Sequence, residues 1–165
     1  MKTNYKLKGS PNNPVLILSH SLGYDLSMWD EIVSPLLPYF RVLQYDTRGH
    51  GESDAPYGPY SMKTLGQDVI ELMNQLNIEK ADFCGLSMGG LIGQWLAIHQ
   101  PERINKLIIC NSAAKIGDAE KWNERSDTIQ LEGMEMVVDT TLQVWFSEEF
   151  RKNNPQKTEE ARSIV

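Results

Sequence analysis

The stretch Ala81-Asp82-Phe83-Cys84-Gly85-Leu86-Ser87-Met88-Gly89-Gly90 decides the fold. It reads as a short apolar strand running into a G-x-S-x-G turn and then into a helix. Leu91, Ile92, Trp95, Leu96 and Ile98 recur behind it at near-helical spacing until Gln100-Pro101 stops the run. Strand, turn and helix in that order predict a nucleophile elbow, in which Ser87 sits on a strained turn with its hydroxyl lifted clear of the sheet. Residues two before and two after the serine crowd such a turn, so Gly85 and Gly89 are read as structural support where a Cβ would clash. The helix beginning behind Ser87 points unpaired N–H groups and its positive dipole end at the same spot. A glycine-rich helix start with a chance serine is the competing reading, and the flanking strand and helix argue against it.

Outward from the elbow, strand and helix alternate. Residues 3–8 form a weak first strand, followed by the turn Ser10-Pro11-Asn12-Asn13-Pro14. The continuous apolar run 14–19 has the signature of a parallel strand covered on both faces. After the loop 20–26, Ser27 with Asp30 three residues on predicts a helix start, and a helix over 28–37 limited by Pro35 and Pro38. Residues 41–45 supply the next strand and 46–60 a long polar loop. Met62, Leu65, Val69, Leu72, Met73 and Leu76 mark an amphipathic helix. Beyond the elbow helix, residues 106–111 read as another buried strand. The repeating order predicts an α/β fold with a mostly parallel sheet, helices on both faces and right-handed crossovers. Past Ser112 the strand signal ends. Residues 118–151 carry helical propensity, Asn153-Asn154-Pro155 breaks the chain, and a further helix starts at 156.

The 165 residues suffice for one globular domain. A formal charge of -6 with no basic cluster excludes nucleic acid as a partner. No apolar run is long enough to cross a bilayer, and the N-terminal residues lack the apolar core of a secretion signal. Cys84 and Cys110 both fall in predicted buried strands, where they read as core residues of a reduced compartment, with the cytoplasm as the expected location.

Three segments now carry a resemblance: His20-Ser21-Leu22-Gly23 with Asp25–Asp30, Tyr45-Asp46-Thr47-Arg48-Gly49-His50-Gly51-Glu52-Ser53, and the elbow. Together they resemble the α/β-hydrolase superfamily and, within it, the 3-oxoadipate enol-lactonase group. The resemblance implies an α/β-hydrolase fold, incomplete here on its C-terminal side, with 1–115 as the N-terminal part of the core and 116–165 as the start of a helical lid. It implies a serine hydrolase of a small ester or enol-lactone that works through an acyl-serine intermediate without cofactor or metal. Ser87 is the expected nucleophile, and the backbone N–H groups of Met88 and Leu22 the expected oxyanion hole. The loop holding Asp46, Arg48 and His50 is expected to brace neighbouring turns, with Asp46 and Arg48 paired with each other or with backbone groups. Trp145, in a stretch resembling the family's lid, is a candidate to line the substrate, and Arg48, Arg125 and Lys115 are candidates to hold a substrate carboxylate.

The triad of this superfamily runs Ser, then Asp or Glu, then His along the chain. His99 lies twelve residues past Ser87, so at ~1.5 Å per helical residue its backbone is roughly 18 Å away, and no histidine follows it. Asp118, Asp127 and Asp139 fall in the predicted helical segment and not at a strand end. The acid and base are therefore expected from a missing C-terminal segment, on the order of 100 residues, or from a second chain. The alternative is a non-catalytic protein that binds a small molecule in the same pocket.

Overall fold

The computed structural model describes all 165 residues. Five strands form one sheet: β1 (Tyr5–Lys8), β2 (Val15–Ser19), β3 (Arg41–Tyr45), β4 (Ala81–Leu86) and β5 (Ile104–Cys110). Their order is β1-β3-β2-β4-β5. β1 runs antiparallel to β3, and every other neighbouring pair is parallel. Parallel neighbours need a crossover, and these carry α1 (Asp30–Leu36), α2 (Met62–Gln75) and α3 (Met88–His99). The chain steps from β2 to β3 on one side, then returns past β2 to β4 on the other. Such a reversal leaves a crevice outside the carboxyl ends of the two strands, here β2 and β4, where α/β sheets bind ligands.

Strand residues of alternate parity feed two cores. On one face Ile17, Leu43, Tyr45 and Phe83 pack with Leu65, Val69, Leu72, Met73, Ile92 and Leu96 of α2 and α3. On the other, Leu16, Leu18, Val42 and Cys84 meet Trp29 and Val33. Each fully buried aliphatic side chain contributes roughly 1.5–3 kcal/mol, so both faces of β2 and β3 hold the sheet in register.

Two expectations need correction. The first helix is not capped by Ser27. Asp25 accepts from the Ser27 N–H at 2.8 Å and opens a 3-10 turn over Leu26–Trp29, and α1 begins only at Asp30. β5 starts two residues before the expected strand and is not buried: it is the sheet's edge, with Ile108 51% and Ile109 45% exposed. Asn111, at φ 42°, ends it.

The chain folds as two compact units, Met1–Lys115 and Ile116–Val165. The second holds α4 (Ala119–Glu132), α5 (Glu135–Trp145), α6 (Glu148–Asn153) and α7 (Pro155–Ile164). Gly133, at φ 89°, ends α4 in a backbone conformation that suits glycine. α5 buries Val137, Val138, Thr141 and Leu142 and packs against α4 and α7. No helix is long and apolar enough to cross a membrane.

Candidate active site

β4 delivers Ser87 to the carboxyl end of the sheet, at the reversal point between β2 and β4. The residue stands at φ 53°, ψ −111°, a region L side chains rarely adopt, and forms the N-cap of α3. Three hydrogen bonds hold it there. Its N–H donates to the Cys110 carbonyl at 3.0 Å, and its carbonyl accepts from the Leu91 N–H at 3.2 Å and the Ser112 hydroxyl at 2.7 Å. The end of β5 thus pins the turn from below while the helix pins it from behind. A Cβ on Gly85 would overlap the Gly89 carbonyl, and one on Gly89 would overlap the Ser19 carbonyl at the end of β2. These close approaches bring the loop after β2 against the first turn of α3.

In that loop, the Gly23 N–H donates to His50 Nε2 at 3.2 Å and the Tyr24 N–H to the Ser21 carbonyl at 3.3 Å. No protein acceptor takes the Leu22 N–H. Met88 opens α3, and a helix start leaves its first N–H groups without intrahelical acceptors. Donors of this kind can stabilise negative charge developing on a carbonyl oxygen.

His20 is fully buried. Its Nδ1 lies 2.8 Å from the Ser21 carbonyl, and its Nε2 accepts the Thr47 N–H at 2.9 Å. Burial lowers its pKa to about 4; neighbouring His50 adds to the effect, while the Ser21 carbonyl, Asp46 and Asp25 oppose it. His50 bonds the Arg48 carbonyl through Nδ1 at 3.2 Å and Gly23 through Nε2. His99 contacts the Trp95 carbonyl at 2.9 Å and stacks on the Trp95 ring. The nitrogens of His20 and His50 are all engaged and His99 is three turns down α3, so these residues offer Ser87 no general base.

Asp46 is buried and accepts from the Leu26 N–H at 2.7 Å, the Glu52 N–H at 3.0 Å and the Asn4 amide at 2.7 Å. It does not meet Arg48. Arg48 instead forms a two-pronged bond to Asp68 on α2 and lies over the Tyr60 ring, and the Asp68 carboxylate raises its pKa. With both prongs committed, Arg48 is poorly placed to hold a substrate carboxylate. Asp68 was not legible as its partner, although an acid buried beside Leu65, Val69 and Leu72 on an apolar helix face is a signal in itself.

Burial pushes the Cys84 thiol up to about 12, with a further contribution from Cys110, whose Sγ lies 3.9 Å away. Neutral at physiological pH, it is no competing nucleophile. No group of three or more His, Cys, Asp or Glu side chains could hold a metal ion. Within the second unit Asp118 caps α4, Asp139 pairs with Arg162, and Asp127 is exposed. Arg125 donates to the Thr141 hydroxyl at 2.9 Å, and Trp145 meets Phe146 edge-on. Lys115 is exposed at the end of the first unit.

The fold is similar to that of known proteins. The chain is 46% identical to 3-oxoadipate enol-lactonase 2 of Acinetobacter baylyi over 94% of its own residues and 58% of that protein's. It is 42% identical to 3-oxoadipate enol-lactonase 1 of the same organism, over 90% of its residues and 56% of the relative's. The solved enol-lactonase of Burkholderia xenovorans superposes with a TM-score of 0.96 at 44% identity, over 98% of this chain and 63% of that one. The chain therefore spans less than two thirds of the length of these relatives. The family described as alpha/beta hydrolase fold matches residues 14–148, and the chain belongs to it.

Proposed function

We propose that this chain carries the nucleophile and oxyanion hole of a serine hydrolase for small carboxylic esters or enol-lactones, similar to the 3-oxoadipate enol-lactonases. The observation that carries this reading is Ser87 at φ 53° on the turn between β4 and α3. Such strain persists only where surroundings enforce it, and it clusters at catalytic sites. In the proposed reaction Ser87 Oγ attacks the lactone carbonyl carbon and its proton passes to a base. The carbonyl oxygen becomes an oxyanion facing the N–H groups of Met88 and Leu22. Collapse breaks the ring C–O bond, the released enolate takes up a proton and becomes the ketone, and water then cleaves the acyl-serine ester. The scheme uses no cofactor.

The triad acid and base lie outside these 165 residues in this reading, which the engaged ring nitrogens of His20 and His50 support. In this reading residues 116–165 begin a lid, and Trp145 is a candidate to line the substrate. The cytoplasm suits two free thiols 3.9 Å apart. Those same histidine bonds also favour a second reading, a protein that binds a small ester without turning it over.

A fluorophosphonate probe separates the two. The full-length protein should label on Ser87, and Ser87→Ala should abolish labelling. Labelling that persists in Ser87→Ala would refute the nucleophile, and a full-length protein that never labels would support binding alone. The 165-residue chain should label poorly, because an unactivated serine hydroxyl is a weak nucleophile.

A further inference from the structure

His20 and His50 make a reciprocal exchange between the two loops that follow β2 and β3. His20 leaves the first loop to accept the Thr47 N–H of the second at 2.9 Å, and His50 leaves the second to accept the Gly23 N–H of the first at 3.2 Å. Their ring centroids lie 5.2 Å apart. In each ring Nδ1 faces a carbonyl, Ser21 for His20 and Arg48 for His50, so Nδ1 carries the hydrogen and Nε2 presents the lone pair. Both rings therefore present Nε2 as the acceptor, in the same tautomer.

Resting on the serine-hydrolase reading, we propose that His20 and His50 are positioning residues that set the oxyanion hole, His50 by taking the Gly23 N–H so that the adjacent Leu22 N–H is left to the substrate. The loop is short and offers successive N–H groups. The Gly23 N–H is taken by His50 and the Tyr24 N–H by the Ser21 carbonyl, while the Leu22 N–H has no protein acceptor. Asp46 secures the far end of the loop through the Leu26 N–H at 2.7 Å, while His20 Nδ1 holds the Ser21 carbonyl of the peptide unit that carries the Leu22 N–H at 2.8 Å and His50 holds the Gly23 N–H on its other side. The acceptor atom matters more than the ring: what the loop needs is a lone pair at the Nε2 position. Because the oxyanion forms only during reaction, a misplaced Leu22 N–H costs kcat rather than substrate affinity.

The test is steady-state hydrolysis of para-nitrophenyl acetate by the full-length protein. His50→Phe keeps the ring volume and removes the lone pair. His50→Gln carries an oxygen where Nε2 stood, and His50→Asn carries one only where Nδ1 stood. The expected result is a kcat lowered about tenfold or more in His50→Phe and His50→Asn, with KM within about twofold, and His50→Gln within about threefold of wild type. Wild-type kcat in His50→Phe, a loss confined to KM, or a Gln variant as poor as the Asn variant would overturn the proposal. Should His50→Phe fail to fold, the Gln and Asn pair decides. Ser87→Ala is assayed alongside. Turnover surviving there defeats the hydrolase reading itself, whereas an inactive Ser87→Ala beside a fully active His50→Phe defeats the histidine exchange alone.

Discussion

In the proposed reaction, function and stability pull in opposite directions at Ser87. A side chain at φ 53°, ψ −111° is strained, and replacing it by glycine removes the Cβ that causes the strain. Ser87→Gly should therefore raise the unfolding free energy of the full-length protein by about 1 kcal/mol while abolishing turnover, whereas Ser87→Ala should abolish turnover without that gain. Urea unfolding of the two variants checks this, and equal stabilities would contradict it. His20 gives a second test. Its folded pKa of about 4 lies below the ordinary 6.5, so between those values the unfolded chain binds more protons and stability rises with pH. The contribution is complete above pH 6.5 and disappears as pH falls through 4, a loss on the order of 3 kcal/mol relative to a His20→Gln variant. His50, Asp46 and Asp25 are the titratable groups acting on it, so the comparison is made between variants at each pH, and parallel stability curves would exclude His20 as the cause. Ser87, Gly85 and Gly89 were legible because a motif fixes them within five consecutive residues. The partners of His20 and His50 were not, since each bond spans 27 residues that only the folded sheet brings together.

Between elements, the bond from Arg48 to Asp68 joins the loop after β3 to α2. Its side chains are 16% and 8% exposed, so removing one partner strands a charge that water reaches poorly. Asp68→Ala should cost about 3 kcal/mol, and the double variant Arg48→Met, Asp68→Leu should recover most of that loss. A double variant as unstable as Asp68→Ala would show instead that the pair is worth more than the apolar packing that replaces it. Apolar periodicity located α2 and α3 and short apolar runs marked parallel strands, because burial imposes both patterns, whereas the first crossover helix is read from its start signal and its prolines. These signals misjudged what depends on neighbours: the sequence of β5 reads as buried, yet its burial depends on a flanking strand, and the cap of the first turn passed from Ser27 to Asp25 because the aspartate carboxylate reaches the Ser27 N–H.

For the molecule as a whole, the sheet has two unequal edges. β1 is four residues long and carries Lys6 and Lys8, a charged and short edge of the kind that resists pairing. β5 is seven residues long, ends in Leu-Ile-Ile-Cys, and leaves Ile108 and Ile109 substantially exposed on its opposite faces. Its outward N–H and C=O groups form a template for another strand, and the exposed isoleucines reward whatever covers them. The 165-residue chain, prepared alone, should therefore self-associate through β5. Light scattering on a size-exclusion column should give masses above 18.8 kDa that rise with concentration. Ile109→Lys should return the mass toward the monomer by placing a charge on that edge, while a lysine at Tyr5, on the β1 edge, should change nothing. A cooperatively unfolding monomer of 18.8 kDa at every concentration would show that the β5 edge is already protected in solution.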